Sequence, residues 1–275
     1  MSRLLSAGFT RLFKNKLFHT AIIVMFALGC FAGHTKWSDF SAGFTVDLTD
    51  ALFTYCLFGA CVTAVLSSMF SGTEYSDGTI RNKLIAGCSR INIYLSNLII
   101  NFVSGIAAVV AFVVPYVAIC LLTVGKSSVP VKVIMLSVLL SMLCLAAFSA
   151  IYNAVTMLIA KKAAAAVACL LLFAGLYIVG MTTYAKLGEP EFVSGYELND
   201  EGEIVETEPV PNPDYLTGTK LKAYQWLLDI NPGSQAIQII SMEIARPVRL
   251  SCCAGAIMVI FTLAGAVIFS KKDLK

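Results

Sequence analysis

Six long apolar blocks, separated by polar stretches, run along most of the chain. Each block approaches or exceeds the roughly 20 residues that a helix needs to cross a hydrocarbon layer about 30 Å thick. We therefore expect an all-α membrane protein with a single transmembrane domain over residues 1–275. The six transmembrane helices are predicted at residues 17–33, 51–70, 93–124, 131–159, 163–183 and 250–269.

The first 16 residues mix apolar and basic side chains instead of forming an apolar run. The apolar ones fall on one broad helical side: Leu4, Leu5, Phe9, Leu12 and Phe13. This pattern predicts an interfacial helix at residues 1–16 that lies along the membrane surface. A basic stretch before an apolar run also begins a secretory signal peptide. Because five further spans follow, we expect the first helix to remain uncleaved.

The composition agrees with this assignment. Of the 275 residues, 58% are hydrophobic and 13% are charged, about half the charged fraction of a soluble domain. A water-soluble enzyme is therefore excluded, and a net charge of +3 does not indicate a nucleic-acid partner. Eight of the nine cysteines lie in apolar blocks and no C-x-x-C pair is present, so we expect neither a disulfide framework nor a metal site.

Basic residues predict the orientation, because cytoplasmic loops of membrane proteins carry an excess of Lys and Arg. Twelve lie on one side of the predicted spans: Arg3, Arg11, Lys14, Lys16, Arg81, Lys83, Arg90, Lys161, Lys162, Lys271, Lys272 and Lys275. The opposite short loops hold three: Lys36, Lys126 and Lys132. We expect a multi-pass protein of the cell membrane with both termini cytoplasmic and residues 184–249 extracytoplasmic. Of the 17 acidic residues, 14 fall on the predicted outer side.

Away from their ends, the predicted spans contain none of the ionisable side chains that mark proton relays and ion pathways. Their most polar side chains are Asn101 and Asn153, which are expected to hydrogen-bond a neighbouring helix or, alternatively, to contact a substrate. No H-E-x-x-H or other catalytic constellation is present, so we do not expect an enzyme. The chain also lacks G-x-x-x-x-G-K-[ST], so any ATP must be bound by a partner.

The third predicted span is too long for a bilayer crossed at right angles. At about 1.5 Å per residue it would extend roughly 48 Å, so it must tilt, bend near Pro115 or protrude. Ser96, Asn97 and Asn101 give its start a polar side at one-turn spacing. This favours protrusion into the cytoplasm.

Residues 71–92, between the second and third spans, form a polar cytoplasmic segment that predicts a short amphipathic helix. Asp77 is the expected N-cap, Gly87 is placed to end the helix, and Ile80, Leu84 and Cys88 recur at i, i+4 and i+8. Two interpretations compete: an interfacial connector beside anionic headgroups, or a helix seated in a groove of a soluble motor subunit.

The stretch E-Y-S-D-G-T-I-R-N-K-L at residues 74–84 resembles the E-x-x-x-G-T-[IL]-R signature of the ABC-2 type permeases, the membrane subunits of ATP-binding cassette transporters. The motif covers about a dozen residues, and the six-span layout with its basic start and tail is similar to the family. The matching positions are Glu74, Gly78, Thr79, Ile80 and Arg81. Glu74 and Arg81 are two helical turns apart, so no direct ion pair is expected between them.

The resemblance implies that residues 71–92 are a coupling helix that receives movement from an ABC ATPase subunit. ATP and Mg would be bound by that partner, and this chain would bind no cofactor itself. The resemblance also implies pairing with a second permease subunit within the lipid bilayer. The residues implied in the ATPase contact are Glu74, Tyr75, Gly78, Thr79, Ile80, Arg81, Lys83 and Leu84.

The long segment before the last span divides into two parts. Glu189–Asp214 is acidic and predicts an exposed hairpin or flexible excursion, or a surface for a cationic peptide. Tyr224–Ile244 carries apolar anchors interrupted by Asn231, Pro232 and Gly233, which predicts two short helices that dip into the outer interface. The resemblance similarly implies short external helices at this place.

Together these features predict the permease subunit of an ATP-driven exporter of a peptide, antibiotic, lipid or other amphipathic substrate. Substrate-binding residues are not assigned. The alternative is a non-transporting membrane sensor or assembly factor that recruits a cytoplasmic partner. A membrane-embedded enzyme is a weaker alternative, because acid, base and metal-ligand groups are missing.

Overall fold

The computed structural model describes residues 1–198 and 204–272, which form ten α-helices, one 3-10 turn and one β-hairpin. The first half of the chain contains α1 (Ser2–Lys14), α2 (Lys16–Ser41), the turn Leu52–Thr54, α3 (Tyr55–Ser76), α4 (Thr79–Ile85) and α5 (Arg90–Thr123). The second half contains α6 (Val131–Leu158), α7 (Lys162–Leu187), β1 (Phe192–Leu198), β2 (Ile204–Pro211), α8 (Gly218–Ile230), α9 (Pro232–Ile240) and α10 (Pro247–Lys271).

Six of the described helices, α2, α3, α5, α6, α7 and α10, are long and apolar enough to cross a membrane. This confirms the six predicted spans, and by length and composition the fold is that of a helical, multi-pass membrane protein. Several helices are longer than predicted, since α2 continues to Ser41 and α3 to Ser76. Hydropathy falls where polar side chains begin, but the helical backbone of α2 and α3 continues beyond that point.

The long helices alternate in direction, so the molecule has two distinct ends. One end, called the α4 end, carries α1, α4 and the last turn of α10. The other end, called the α9 end, carries the β-hairpin, α8 and α9. Residues 199–203, part of the predicted acidic excursion, and residues 273–275, including Lys275 of the charge count, lie outside the described residues.

The interior of the bundle is built around α3, α5 and α6, which pack on one another. Most residues of α3 and α6 are buried, whereas most residues of α2, α7 and α10 are at least partly exposed at the periphery. Asn101 Nδ2 donates to Asn153 Oδ1 at 3.1 Å between α5 and α6. The expected contact between neighbouring helices is therefore confirmed for this pair.

Helix α5 is continuous through Pro115 and contains 34 residues, so it is about 51 Å long at 1.5 Å per residue. Its first turns are covered by α1, whose buried residues Leu4, Gly8 and Leu12 recur every four positions. The predicted helix at residues 1–16 therefore forms as α1, and its buried face lies against protein. The protrusion of α5 into the cytoplasm stays a prediction.

The two predicted short helices at the α9 end are present as α8 and α9, separated at Asn231. Asn231 caps α9 by accepting from the Gly233 N–H at 3.0 Å. Helix α9 is mostly buried and packs against α3, α6 and α7, so it lies inside the helix bundle. Close approach of α9 to α7 requires Gly233, because a Cβ there would lie 2.1 Å from the Leu176 carbonyl oxygen.

Candidate functional site

The segment that contains α4 begins where α3 ends. Asp77 follows the last turn of α3, and Gly78 at φ 65° precedes Thr79, the first residue of α4. The prediction of Asp77 as the N-cap was wrong, because Asp77 still caps the C-terminus of α3. Gly78 occupies the N-cap instead, without a side-chain hydrogen bond, since glycine adopts a left-handed backbone at little cost.

The inner face of α4 is apolar, as its spacing predicts. Ile80 is 2% exposed and packs in a cluster with Ile93, Tyr94 and Phe269. Leu84 and Cys88 are partly buried against the same cluster. The predicted i, i+4, i+8 line therefore faces the protein, and it joins α4 to the start of α5 and the end of α10.

A buried carboxylate fixes the base of this segment. Glu74 is 0% exposed, and its Oε1 lies 2.8 Å from Arg11 Nη1 and 2.5 Å from Lys83 Nζ. Its Oε2 accepts from Asn97 Nδ2 at 2.8 Å. The Glu74 junction, defined as Glu74, Arg11, Lys83 and Asn97, thus ties α3 to α1, α4 and α5.

Burial of the ionised Glu74 carboxylate carries a desolvation cost. An ionised carboxylate removed from water is costly unless it is paired and hydrogen-bonded. Arg11 and Lys83 supply the paired charges, with side chains 34% and 14% exposed. Glu74 lies beyond the predicted end of the second span at residue 70, in the part of α3 that continues to Ser76.

The outer face of α4 is exposed and contains both charge and apolar surface. Arg81, Asn82 and Ala86 are exposed, and Ile85 is 79% exposed. Asp77, just before the helix, is exposed as well. We call these five residues the α4 face. No other described residue covers them, so the α4 face is accessible to a partner.

The eight residues implied in the partner contact do not share one face. Glu74, Ile80 and Lys83 point inward, Leu84 packs beside Ile80, and Arg81 lies outward; Tyr75, Gly78 and Thr79 are intermediate in exposure. Glu74 and Arg81 are not paired with each other, since Glu74 bonds to Arg11 and Lys83. A contact between these residues and an ATPase stays a prediction.

A second cluster holds the end of α10 against the same segment. Lys272 Nζ donates to Tyr75 Oη at 3.1 Å and to the Met157 carbonyl at 3.2 Å. Tyr75 Oη itself donates to that carbonyl, and Arg90 donates to the carbonyl of Lys272. Burial lowers the pKa of Lys272 from its usual value. We call Tyr75, Arg90, Met157 and Lys272 the Lys272 contact.

Sequence reasoning missed most of these pairings. Arg11 lies 63 residues from Glu74, and Lys272 lies 197 residues from Tyr75, so no local pattern connects them. The polar spacing of Asn97 at the start of α5 was the one signal that pointed inward. Its partner could not be identified, because Glu74 was assigned to a polar cytoplasmic segment.

Another buried carboxylate lies at the α9 end. Asp229 is 0% exposed, and its Oδ2 lies 3.0 Å from Arg246 Nε and 2.5 Å from Arg249 Nε. Neither N–H is aimed well enough for a hydrogen bond, and Oδ1 has no partner among the described residues. Arg249 also lies over the Trp226 ring at 3.9 Å. These contacts join α8 to the first turn of α10.

A third carboxylate, Asp47, joins two loops at the α9 end. Its oxygens accept from Ser127 Oγ and Ser128 N, each at 2.6 Å, and from Thr49 N at 2.8 Å. Partial burial opposes ionisation, but these hydrogen bonds prevail and hold the pKa of Asp47 well below its usual range. The loop after α2 is thereby fixed to the turn before α6.

The described residues contain no group of His, Cys, Asp and Glu side chains that could hold a metal ion. The sequence matches no protein-family model and no curated protein. Function therefore has to be inferred from the residues and contacts of this chain. The candidate functional site is at the α4 end, where the exposed α4 face lies on the opposite side of α4 from the buried Glu74 junction.

Proposed function

We propose that this chain is the membrane-spanning subunit of an ABC-2 type transporter and that α4 is its coupling helix. The observation that carries the proposal is the two-sided construction of α4. Arg81, Asn82 and Ile85 are exposed, while Ile80 and Lys83 anchor the opposite face to the bundle. A short helix of this kind can bind a soluble subunit on its exposed face and transmit movement of that subunit to the long helices through its anchored face.

The anchoring contacts support such a transfer because they connect α4 to three other helices. Glu74 lies in the last turns of α3, and its two oxygens bind groups from α1, α4 and α5. Displacing α4 without its neighbours would separate Lys83 from a buried carboxylate, at a cost of about 1–2 kcal/mol. Movement of α4 is therefore expected to carry the ends of α3 and α5 with it.

The exposed groups suit a soluble partner with an acidic and apolar groove. Arg81 supplies a fixed positive charge and Ile85 an uncovered apolar side chain. We propose that the partner is an ABC ATPase subunit that binds ATP and Mg, since this chain has no phosphate-binding loop. The excess of basic residues at the α4 end supports a cytoplasmic location for that end and for both termini.

The proposed assembly contains two permease subunits, identical or similar, and two ATPase subunits in the cell membrane. Export of a peptide, antibiotic, lipid or other amphipathic substrate is the proposed activity. No residue is assigned to substrate binding.

The test is gentle purification of the tagged protein from its native membrane, with identification of copurifying proteins and measurement of ATP hydrolysis. A stoichiometric ABC ATPase is expected. Arg81→Glu is expected to reduce the recovered ATPase activity about tenfold, as for a contact residue at an interface, with membrane insertion unchanged. Lys220→Glu is the matched control, since Lys220 is exposed on α8 at the opposite end.

The outcomes separate the possibilities. Full ATPase recovery with Arg81→Glu would show that the α4 face is not the contact. Reproducible absence of any ATPase from the native preparation would contradict the transporter proposal and favour the sensor or assembly factor.

A further inference from the structure

We infer that movement of α4 is transmitted to the C-terminal end of α10 as well as to α3 and α5. Lys272 is the positioning residue that makes α10 follow α4. The ATP-dependent part of this inference rests on the proposed function. The contact itself does not, because it is a property of this chain alone.

One side of the connection is the end of α3, just before α4. Lys272 Nζ lies over the Tyr75 ring at 4.5 Å and donates to Tyr75 Oη at 3.1 Å. The same ammonium donates to the Met157 carbonyl at 3.2 Å, near the end of α6. Lys272 is partly buried here, so these acceptors replace the water that a surface lysine would have.

The other side is the start of α5, just after α4. Arg90 Nη1 donates to the carbonyl of Phe269 at 3.4 Å and to the carbonyl of Lys272. The last carbonyls of a helix lack partners within the helix, so a cationic side chain there satisfies them and complements the helix dipole. Tyr94 packs on Phe269 with ring centroids 6.3 Å apart.

Tyr75 precedes α4 in the chain and Arg90 follows it, and both bind Lys272. Tyr75 contacts the Lys272 ammonium, and Arg90 donates to the Lys272 carbonyl. Glu74, the centre of the junction that anchors α4, directly precedes Tyr75 in α3. A displacement of α4 that moves the end of α3 and the start of α5 is therefore transmitted to Lys272 through both Tyr75 and Arg90. Because α10 packs along α6, such a pull would shift α10 against α6.

The neighbouring Lys271 provides a matched control. It carries the same charge, ends the same helix and is exposed. Lys272→Met retains most of the side-chain length and removes the ammonium, whereas Lys271→Met removes a charge that makes no described contact. A general effect of reduced positive charge at the α4 end would be the same in both variants.

The first measurement is amide hydrogen exchange of the purified permease without nucleotide. Lys272→Met is expected to speed exchange in residues 75–90 about tenfold, as for the loss of one or two hydrogen bonds that restrain the segment. Lys271→Met should match the native protein. Equal exchange in the two variants would overturn the contact as a restraint on α4.

The second measurement uses the copurified assembly with Mg-ATP and orthovanadate, which traps an ATPase after hydrolysis. In the native protein and in Lys271→Met, exchange is expected to change both in residues 76–90 and in the last turns of α10. In Lys272→Met the first change should remain and the second should fall at least threefold. A purely structural role would alter the basal exchange rate without separating these two responses.

Persistence of the α10 response in Lys272→Met would overturn the inference. Absence of any nucleotide response in residues 76–90 of the native assembly would instead count against the proposed function. In that case the nucleotide-free comparison still decides whether Lys272 restrains α4, so the two failures are distinguishable.

Discussion

The Glu74 junction makes a quantitative prediction about stability. In Glu74→Gln, one oxygen acceptor is retained, and the new amide can donate to Asn97 Oδ1, which is buried and has no hydrogen-bond partner among the described residues. The change therefore isolates the ionic contacts with Arg11 and Lys83. Breaking a fully buried pair costs about 3–5 kcal/mol, and the partial exposure of both cations reduces the expected loss to about 2–3 kcal/mol.

A double-mutant cycle separates the ionic pair from side effects. Lys83→Met alone is expected to cost about 1–2 kcal/mol, because Glu74 keeps Arg11 and Asn97. The double variant with Glu74→Gln should cost about 2–3 kcal/mol, which corresponds to a coupling of about 1–2 kcal/mol. Arg81→Met is the control and should change stability by less than about 0.5 kcal/mol, since Arg81 is exposed.

The assay is unfolding in mixed micelles, with SDS titrated into a mild detergent and helix content followed by circular dichroism. The free energy of unfolding is compared among the native protein, the two single variants, the double variant and the control. If Glu74→Gln were as mild as Arg81→Met, the carboxylate would not be a buried ionic centre. Strict additivity in the cycle would show that Glu74 and Lys83 do not interact.

Two further predictions concern the α9 end. Gly233→Ala should lower the unfolding temperature by several degrees, because its Cβ would lie 2.1 Å from the Leu176 carbonyl oxygen. Gly175→Ala is the control, since an added Cβ there meets nothing within 4 Å among the described residues. Equal unfolding temperatures of the two variants would contradict the close approach of α9 to α7. Asp47→Asn should lower the unfolding temperature at pH 7, since the ionised carboxylate accepts several hydrogen bonds. Because folding lowers the pKa of Asp47, its stabilising effect is present above the unfolded value of about 3.9 and is lost as the pH falls further, so the difference between Asp47→Asn and the native protein should narrow below about pH 4. A difference that stays constant down to pH 2 would show that the charge of Asp47 does not stabilise the loops.

Hydropathy and spacing predicted much of the fold. The six spans follow from blocks of apolar residues, and the inner line of α4 follows from Ile80, Leu84 and Cys88 at helical spacing. The break between α8 and α9 follows from Asn231 and Pro232, which end one helix and start the next. These features depend on residues that are near one another in the chain.

The errors arose where distant residues determine local structure. Asp77 has the chemistry of an N-cap, yet α3 continues to Ser76 and leaves the cap to Gly78. Glu74 was expected in a polar cytoplasmic segment, yet Arg11 and Asn97 allow it to be buried. Neither partner can be identified from spacing, because contacts across 63 and 23 residues leave no periodic pattern.

The sequence by itself determined that this is a helical membrane protein with six spans, a basic amphipathic first helix and a short helix between the second and third spans. Local hydropathy and helical periodicity are enough for those conclusions. Only the tertiary structure decided that Lys83 points inward, which charges neutralise Glu74 and that Lys272 binds both flanks of α4. Those properties depend on three-dimensional proximity, since burial and electrostatic pairing are set by neighbours in space rather than by neighbours in the chain.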